Sequence, residues 1–333
     1  MANKKKKGGL LKRPNTITGS SIVPKSLKPQ QARQIIRRFH VLQKNKTSVI
    51  NKLSKSTQLS IENYKEVIGE RSTFNIAYQR SYSEFILPIK YGDNKLINVE
   101  HILNDIELVK ELAIIDSEID QRGGINSYQS ASVQGQNNKR GGDSSKKLVE
   151  WLKELDYKDR LNDAPALEIG CLSPTNVIST CGIFKDIVRI DLNSQNHLIL
   201  EQDFMARPLP SKKSDRFNLI SCSLVINFVP SPKERGAMLQ RITQFLKKPT
   251  KDSVSTLFLV LPLPCVSNSR YFDNKTLLNI MTHLGFTQTK YYEAKKVVYW
   301  LFDWNGEPSK IFKSFPKKGL NPGSSRNNFC ITL

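Results

Sequence analysis

The spacing of apolar residues divides the chain into a helical N-terminal part and a C-terminal part in which strands and helices alternate. Apolar positions recur at helical spacing over residues 30–59, where the opposite face is basic. A second amphipathic segment covers residues 102–120, and the glycine pair that follows it, Gly123 and Gly124, ends that helix. The pattern therefore predicts a helical region before residue 123.

From about residue 165, short apolar runs alternate with amphipathic segments. Strands are predicted at residues 166–170, 186–192, within 197–204, at 217–229 and at 255–264, helices at 233–246 and 274–285, and a closing hairpin at 286–304. Strands that alternate with helices form a mostly parallel sheet with helices on both faces. A terminal hairpin after the fifth strand resembles the variant of this architecture found in methyltransferases that use S-adenosylmethionine (SAM).

Composition narrows the class of protein. The 333 residues contain no run of about 18 apolar residues, which a membrane-spanning helix needs, and the basic N-terminus lacks the apolar stretch of a secretory signal. We therefore expect a soluble intracellular protein with no membrane partner. The five cysteines are scattered without a C-x-x-C pair, and only four histidines are present, so neither a disulfide framework nor a metal site is expected.

The net charge of +21 is concentrated at the two ends of the chain. Residues 1–60 contain 15 lysines and arginines and no acidic residue, and residues 305–333 are also strongly basic, whereas residues 61–304 are close to neutral. Polycationic ends suit a phosphate backbone, because each neutralised phosphate releases counterions. The alternative is a solvated tail that serves only as a nuclear or nucleolar address. Both interpretations predict the nucleus as the compartment.

Four regions are predicted: a basic disordered tail at 1–28, a helical N-terminal region at 29–122, a methyltransferase-type domain at 123–305 and a basic C-terminal extension at 306–333. The polar, glycine-rich segment 123–152 opens the third region, and an amphipathic helix start is predicted within it from Asp143 to Trp151. A linker is its simplest interpretation, but it mixes Tyr128, glutamines and Arg140 with two glycine-rich turns, and a long loop beside a domain is often functional. Arg140 is a candidate contact for a phosphate or a cofactor carboxylate, with a plain surface arginine as the alternative.

Glycine and acidic residues stand at the ends of the first three predicted strands. Gly170 lets the backbone approach a ligand, and Asp191 follows 21 residues later, close to the spacing at which an acid binds ribose hydroxyls. Asp203 and Phe204 end the third strand, where a carboxylate can accept a bond from an adenine amine and a ring can pack on the base. Each feature alone is common as a turn or a helix cap, but in this order they favour a nucleotide-type cofactor.

The first of these turns also separates two cofactor classes. After Gly170 the residues Cys171 to Pro174 do not complete a G-x-G-x-x-G motif. SAM contains no pyrophosphate and needs fewer glycines than a dinucleotide does, so this departure argues against a dehydrogenase more than against a methyltransferase.

The end of the fourth predicted strand, SCSLVINFVPSPKERG at 221–236, is where methyltransferases place residues that face the substrate. Ser221 or Ser223 is expected to reach the cofactor. Asn227 and Phe228 are candidates for holding the acceptor base by hydrogen bonding and stacking, and core packing is the alternative for Phe228. Cys222 lies inside the strand without a Pro-Cys context, so it is rejected as a nucleophile, and no catalytic base is predicted.

Several unusual stretches resemble one family in the right order over about residues 95–305. These are GGINSYQSASVQGQNNKRGGDSSK, ALEIGCLSPTN, RIDLN, LEQDF and SLVINFVPSPKERGAML, which look like segments of the fungal 25S rRNA adenine-N1 methyltransferases, related to the metazoan SAM sensor SAMTOR. The resemblance implies a Rossmann-like class I SAM-dependent methyltransferase fold: a doubly wound, mostly parallel seven-stranded sheet with a C-terminal antiparallel hairpin. It also implies that Gly170 and Asp191 bind SAM, with Asp203, Phe204 and Ser223 as further contacts.

The expected activity is methylation of N1 of an adenine in large-subunit rRNA during ribosome biogenesis, in a pre-ribosomal particle and in the nucleolus. A SAM-sensing binding protein without catalysis is the alternative, and a basic assembly factor that has lost the reaction is a third. The polycationic N-terminus favours the rRNA enzyme, because a nutrient sensor does not need it.

Overall fold

The computed structural model describes residues 29–89, 94–102, 104–135, 142–161, 163–194, 196–311 and 313–333. The chain divides into two compact units, Met1–Gln134 and Gly135–Leu333. The predicted basic tail at 1–28 lies outside the described residues. None of the helices in the described part of the chain combines the length and the apolar character that crossing a bilayer requires.

The N-terminal unit is helical, as the apolar spacing predicts. Its helices are α1 Pro29–Thr57, α2 Tyr64–Glu70, α3 Ser72–Glu84, α4 Asp105–Gln121 and α5 Gly124–Gly135, with a 3₁₀ turn at Val99–His101. Leu53 of α1 and Leu112 of α4 are fully buried in one apolar cluster that also takes in Ile68 of α2. The predicted helices at 30–59 and 102–120 are therefore confirmed.

The structure corrects the interpretation of the segment 123–152 as a loop, because its first part forms α5. Gly123, at φ +86°, ends the preceding helix and lets the chain turn. Tertiary packing then stabilises α5 despite its polar composition: the ring of Tyr128 stacks on Phe39 with centroids 4.8 Å apart, and Ala131 is buried against Ala32. Packing of a few positions thus overrides a weak helical propensity.

The C-terminal unit is built on a seven-stranded sheet. The strands are β1 Ala164–Ile169, β2 Phe184–Asp191, β3 Leu200–Glu201, β4 Leu219–Ser223, β5 Thr256–Pro262, β6 Phe286–Glu293 and β7 Val297–Trp304, in the order β3-β2-β1-β4-β5-β7-β6. Strands β1 to β5 are parallel, and β7 pairs antiparallel with both β5 and β6. This topology confirms the predicted class I SAM-dependent methyltransferase fold.

Helices cover both faces of the sheet. They are α6 Ser145–Glu154, α7 Tyr157–Arg160, α8 Val177–Thr180, α9 Pro232–Phe245, α10 Pro264–Ser267 and α11 Asn274–His283. One apolar cluster joins α9 and α11 to one face, and a second joins α6 and α7 to the other. Residues from the C-terminal extension, including Phe329 and Ile331, are buried in the first cluster, so the extension packs on the domain.

The fourth strand is shorter than the predicted 217–229. Pairing ends at Ser223, because Leu224 has a left-handed backbone with φ +57° and the next residues turn. An apolar run cannot by itself distinguish a strand from a buried turn. The turn redirects residues 224–231, which we call the β4 loop, over the carboxyl end of the sheet.

Candidate active site

Gly170 forms the turn at the carboxyl end of β1. Its N–H and that of Cys171 both donate to the carbonyl of Ile190, at 2.9 and 3.0 Å, which joins the ends of β1 and β2. The backbone has φ +74°, and a Cβ added here would lie 2.5 Å from Cγ2 of Val225 in the β4 loop. Only glycine meets both conditions without strain.

A buried polar pair lies under the loop that follows Gly170. Nδ2 of Asn176 donates to Oε1 of Glu168 at 2.7 Å. The other oxygen, Oε2, is buried and accepts no hydrogen bond from any described residue, and burial raises the pKa of Glu168. A carboxylate oxygen in this state favours a cationic ligand, because it has lost water without gaining a partner.

Asp143 and its neighbours tie three parts of the site together. The Asp143 carboxylate accepts bonds from the N–H groups of Ser145 and Val177, and so caps both α6 and α8. Ser145 Oγ accepts from the N–H of Ile178 at 3.0 Å. Ser144 Oγ lies 2.8 Å from Oγ of Ser223, the last residue of β4. Sequence reasoning predicted only a helix start here, because a cap residue gives no sign of its second, distant partner.

The predicted cofactor residues that the structure describes lie at or just after neighbouring strand ends, but one of them is buried in the core. Asp191 is the last residue of β2, and its Oδ1 accepts from the N–H of Asn193 at 3.0 Å. Asp203 is exposed just after β3, and its Oδ1 accepts from the N–H of Met205 at 2.7 Å. Phe204, in contrast, is 3% exposed in the core.

The ring of Phe204 packs against Phe245 of α9, with centroids 5.1 Å apart. The ring of Phe204 therefore packs in the core, because burying it there removes more apolar surface from water than exposing it in a ligand pocket would. The backbone beside it is fixed by Arg241 of α9, whose Nε donates to the carbonyl of Phe204 at 2.9 Å and whose guanidinium also donates to the carbonyl of Arg207. Sequence reasoning missed this arginine, which looks like a solvent-facing residue of an amphipathic helix.

The β4 loop carries the two predicted substrate residues. The loop consists of successive turns. In one of them the N–H of Phe228 donates to the carbonyl of Val225 at 2.9 Å. Phe228 is half-buried. Oδ1 of Asn227 is buried and accepts no hydrogen bond from any described residue. A buried amide oxygen without a hydrogen bond raises the free energy of the ligand-free protein. It therefore favours a ligand that can donate a hydrogen bond to it.

Arg235 of α9 holds the far end of the β4 loop. The residue is 4% exposed, and its guanidinium donates to the carbonyls of Val229, Pro230 and Cys330 at 2.9, 3.0 and 2.8 Å. Its Cζ also lies 4.8 Å from the centroid of the Phe329 ring. Burial lowers the pKa of this arginine. Neutral carbonyls satisfy its donors and fix the loop against the C-terminal segment.

Comparison with known proteins then decides the family. Residues 113–331 match the family described as 25S rRNA (adenine(2142)-N(1))-methyltransferase, Bmt2. The chain belongs to this family. A member named 25S rRNA (adenine(2142)-N(1))-methyltransferase, from Saccharomyces cerevisiae, is 36% identical over 339 residues, which cover 94% of this chain and 95% of that protein. A 25S rRNA adenine-N(1) methyltransferase of Schizosaccharomyces pombe is 40% identical over 247 residues, covering 73% of this chain and 89% of that one.

Among solved structures, a SAM-dependent methyltransferase from Clostridium acetobutylicum superposes with a TM-score of 0.41 at 11% identity, covering 53% of this chain and 98% of that one. The Bmt2 match includes every predicted site residue from Arg140 to Phe228. Arg140 itself lies outside the described residues. No group of three or more potential metal ligands occurs within the part of the chain that the structure describes.

Proposed function

We propose that this chain transfers the methyl group of SAM to N1 of an adenine in 25S rRNA. The observation that carries the proposal is the arrangement at the carboxyl edge of the sheet, where Gly170 brings the β4 loop against the end of β1 in a chain of the Bmt2 family. In open α/β sheets ligands bind at this edge. The adenine that corresponds to position 2142 in the family's description is the proposed target.

Two features of the site fit SAM. Gly170 has no side chain between the end of β1 and the β4 loop, so Val225 packs directly against this turn, and the buried Oε2 of Glu168 suits a cationic group. We assign Gly170, Asp191, Asp203 and Ser223 to the cofactor, with Asp191 accepting from the ribose hydroxyls and Glu168 from the ammonium group. When bound, SAM supplies a methyl group activated by the positive charge of its sulfonium.

The acceptor needs alignment more than acid–base catalysis. Adenine N1 has an in-plane lone pair, so the chain has no proton to remove before the methyl group is transferred. The residues must unpair the adenine from its partner base, exclude water and align N1 with the methyl group. We assign Oδ1 of Asn227 to accept a bond from the exocyclic amine of the adenine, and Phe228 to pack on the base.

The setting of the reaction is part of the proposal. The 15 cations of residues 1–60 supply affinity for rRNA that does not depend on sequence. The shape of a pre-ribosomal particle in the nucleolus then selects the base. Nuclear or nucleolar localisation can be checked with the full chain carrying a fluorescent tag.

The test is methylation of rRNA isolated from cells that lack this activity. Purified protein and radiolabelled SAM should restore N1-methyladenine, which blocks base pairing and therefore stops reverse transcription at one position. Asn227→Ala should reduce kcat while SAM affinity stays within about twofold, since the amide bonds only the acceptor. SAM binding without methyl transfer, together with SAM-dependent release of a protein partner, would support a sensor instead and refute the enzyme.

A further inference from the structure

Residues 320–332 form a strap across the carboxyl ends of β5 and β4. At one end the N–H of Leu320 donates to the carbonyl of Arg270 at 2.8 Å, and at the other the N–H of Thr332 donates to the carbonyl of Pro232 at 3.1 Å. Arg270 follows β5 and α10, whereas Pro232 opens α9 after the β4 loop. The strap therefore lies on the same edge of the sheet as the candidate active site.

An aromatic ring with cations around it lies at the start of this strap. Nζ of Lys317 is 4.2 Å from the centroid of the Tyr271 ring, and Cζ of Arg270 is 5.8 Å from it. Lys318, next in the chain, is exposed, as is Lys317. We call Arg270, Tyr271, Lys317 and Lys318 the edge cluster. The ring restrains Lys317, because a cation above an aromatic face is attracted by its quadrupole.

The positive charges of the edge cluster are not neutralised by protein carboxylates. Within the described residues none of its three cations forms an ion pair. The guanidinium of Arg270 donates only to neutral groups, Oδ1 of Asn328 and the carbonyl of Gly323. The acid that follows in sequence, Asp273, caps α11 by accepting from the N–H and hydroxyl of Thr276. The cluster therefore presents its charge to an anionic partner.

We propose that the edge cluster binds the phosphates of rRNA nucleotides next to the target adenine, an inference that rests on the proposed function. Lys317 and Lys318 contact the backbone, and the Tyr271 ring holds the first of them in position. A nucleic-acid strand that delivers a base to the carboxyl edge must pass over neighbouring surface of that edge. Cations beside an aromatic ring bind single-stranded nucleic acid with little dependence on base identity.

The chain contains a matched control at the opposite edge of the sheet. Lys247 and Lys248 form another adjacent lysine pair, in the connection between α9 and the amino end of β5. Removing either pair changes the net charge equally, but only Lys317 and Lys318 lie on the edge of the candidate active site. The comparison separates a local contact from the general attraction of a chain with net charge +21.

The experiment measures binding and catalysis separately on the full-length protein. The probe is a fluorescent transcript of the 25S rRNA segment that contains the proposed adenine, and anisotropy is followed over a series of salt concentrations. We expect K317Q/K318Q to raise the Kd for RNA about five- to twentyfold and to reduce the slope of log Kd against log salt by about 1.4, for two single-strand phosphates. K247Q/K248Q should leave both within about twofold of wild type. SAM affinity, measured by calorimetry, should not change in either variant.

In the methylation assay K317Q/K318Q should raise the KM for RNA and leave kcat unchanged. Equal weakening by both lysine pairs, or no weakening by K317Q/K318Q, would overturn the proposal. Wild-type protein that binds the transcript but does not methylate it would refute the proposed function, while the comparison of the two pairs would still decide whether the edge cluster binds RNA. If wild type methylates the transcript and the KM for RNA is the same in K317Q/K318Q and K247Q/K248Q, the role of the edge cluster is refuted and the proposed function stands.

Discussion

Arg235→Lys tests whether the β4 loop is held in place by a single buried side chain. The guanidinium makes three hydrogen bonds to carbonyls, of Val229, Pro230 and Cys330. A lysine ammonium keeps the charge but cannot reach three separated acceptors in the plane of a guanidinium. If two bonds are lost at about 1.5 kcal/mol each, the free energy of unfolding falls by about 3 kcal/mol. For a unit of this size the expected fall in Tm is about 6–12 °C.

The functional result should differ from this loss of stability. Below the Tm the cofactor contacts at β1 and β2 remain, so the Kd for SAM should change less than about threefold. The β4 loop carries Asn227 and Phe228, and its displacement should lower kcat at least tenfold. Unfolding by urea, calorimetry with SAM and the methylation assay measure the three quantities.

Arg241→Lys is the matched control, because Arg241 is a second arginine of α9 whose guanidinium donates to backbone carbonyls. Arg241 donates to the carbonyls of Phe204 and Arg207 beside the predicted cofactor residue Asp203. Its substitution should raise the Kd for SAM and leave kcat at saturating SAM nearly unchanged. Loss of SAM binding in Arg235→Lys, or the same profile in both variants, would refute the assignment of the two arginines to different loops.

Three further predictions concern the cofactor side. Gly170→Ala should weaken SAM binding at least about tenfold, because its Cβ would lie 2.5 Å from Val225 Cγ2 at φ +74°; unchanged affinity by calorimetry would contradict this. Asp191→Ala should raise the Kd for SAM about five- to 150-fold, the equivalent of losing one charged hydrogen bond, and a smaller effect would remove Asp191 from the pocket. Burial raises the pKa of Glu168, so the folded state holds the proton of this carboxyl group more tightly than the unfolded state does. The resulting contribution to stability is fully present below the unfolded pKa of 4.5 and is lost as the pH rises through the folded pKa. Glu168→Gln should therefore exceed wild type in stability by more at pH 8 than at pH 5 in urea unfolding, and an equal difference at both pH values would refute this.

The fold was predictable because its signals are local. Apolar runs and helical spacing give the type and order of elements, and parallel topology then brings the ends of β1, β2 and β4 to one edge. Gly170 and Asp191 could be chosen from their positions at strand ends. The pattern left Ser221 and Ser223 as alternatives within a predicted strand that was too long, and only the family resemblance favoured Ser223. Phe204 could not be placed, because an aromatic residue at a strand end has the same pattern whether it faces a ligand or the core.

The contacts that hold the site were not predictable, because they join residues far apart in sequence. Arg235 lies on the apolar face of α9, in line with Met238 and Ile242, and that pattern does not show what a charged side chain there would bind. The acceptors of Arg235 and Arg241 are backbone carbonyls, which no sequence pattern marks. Asp143 caps its own helix and also α8, and only the first role has a sequence signal. The C-terminal extension looks like a solvated tail from its charge, yet Phe329 and Ile331 anchor it in the core.

Helix α9 relates the two halves of the site, since it contacts the loops that follow both β3 and β4. Its start is fixed by a capping box, in which Ser231 Oγ accepts from the N–H of Glu234 and the Glu234 carboxylate accepts from the N–H of Ser231. Arg235 lies one turn later and holds the β4 loop, and Arg241 lies further along and holds the loop after β3. Because a helix is stiff over this length, α9 fixes the separation between the loop after β3 and the β4 loop. In-line methyl transfer requires the groups held by these loops to be aligned, so we expect α9, which contributes no predicted site residue, to determine how the site residues meet.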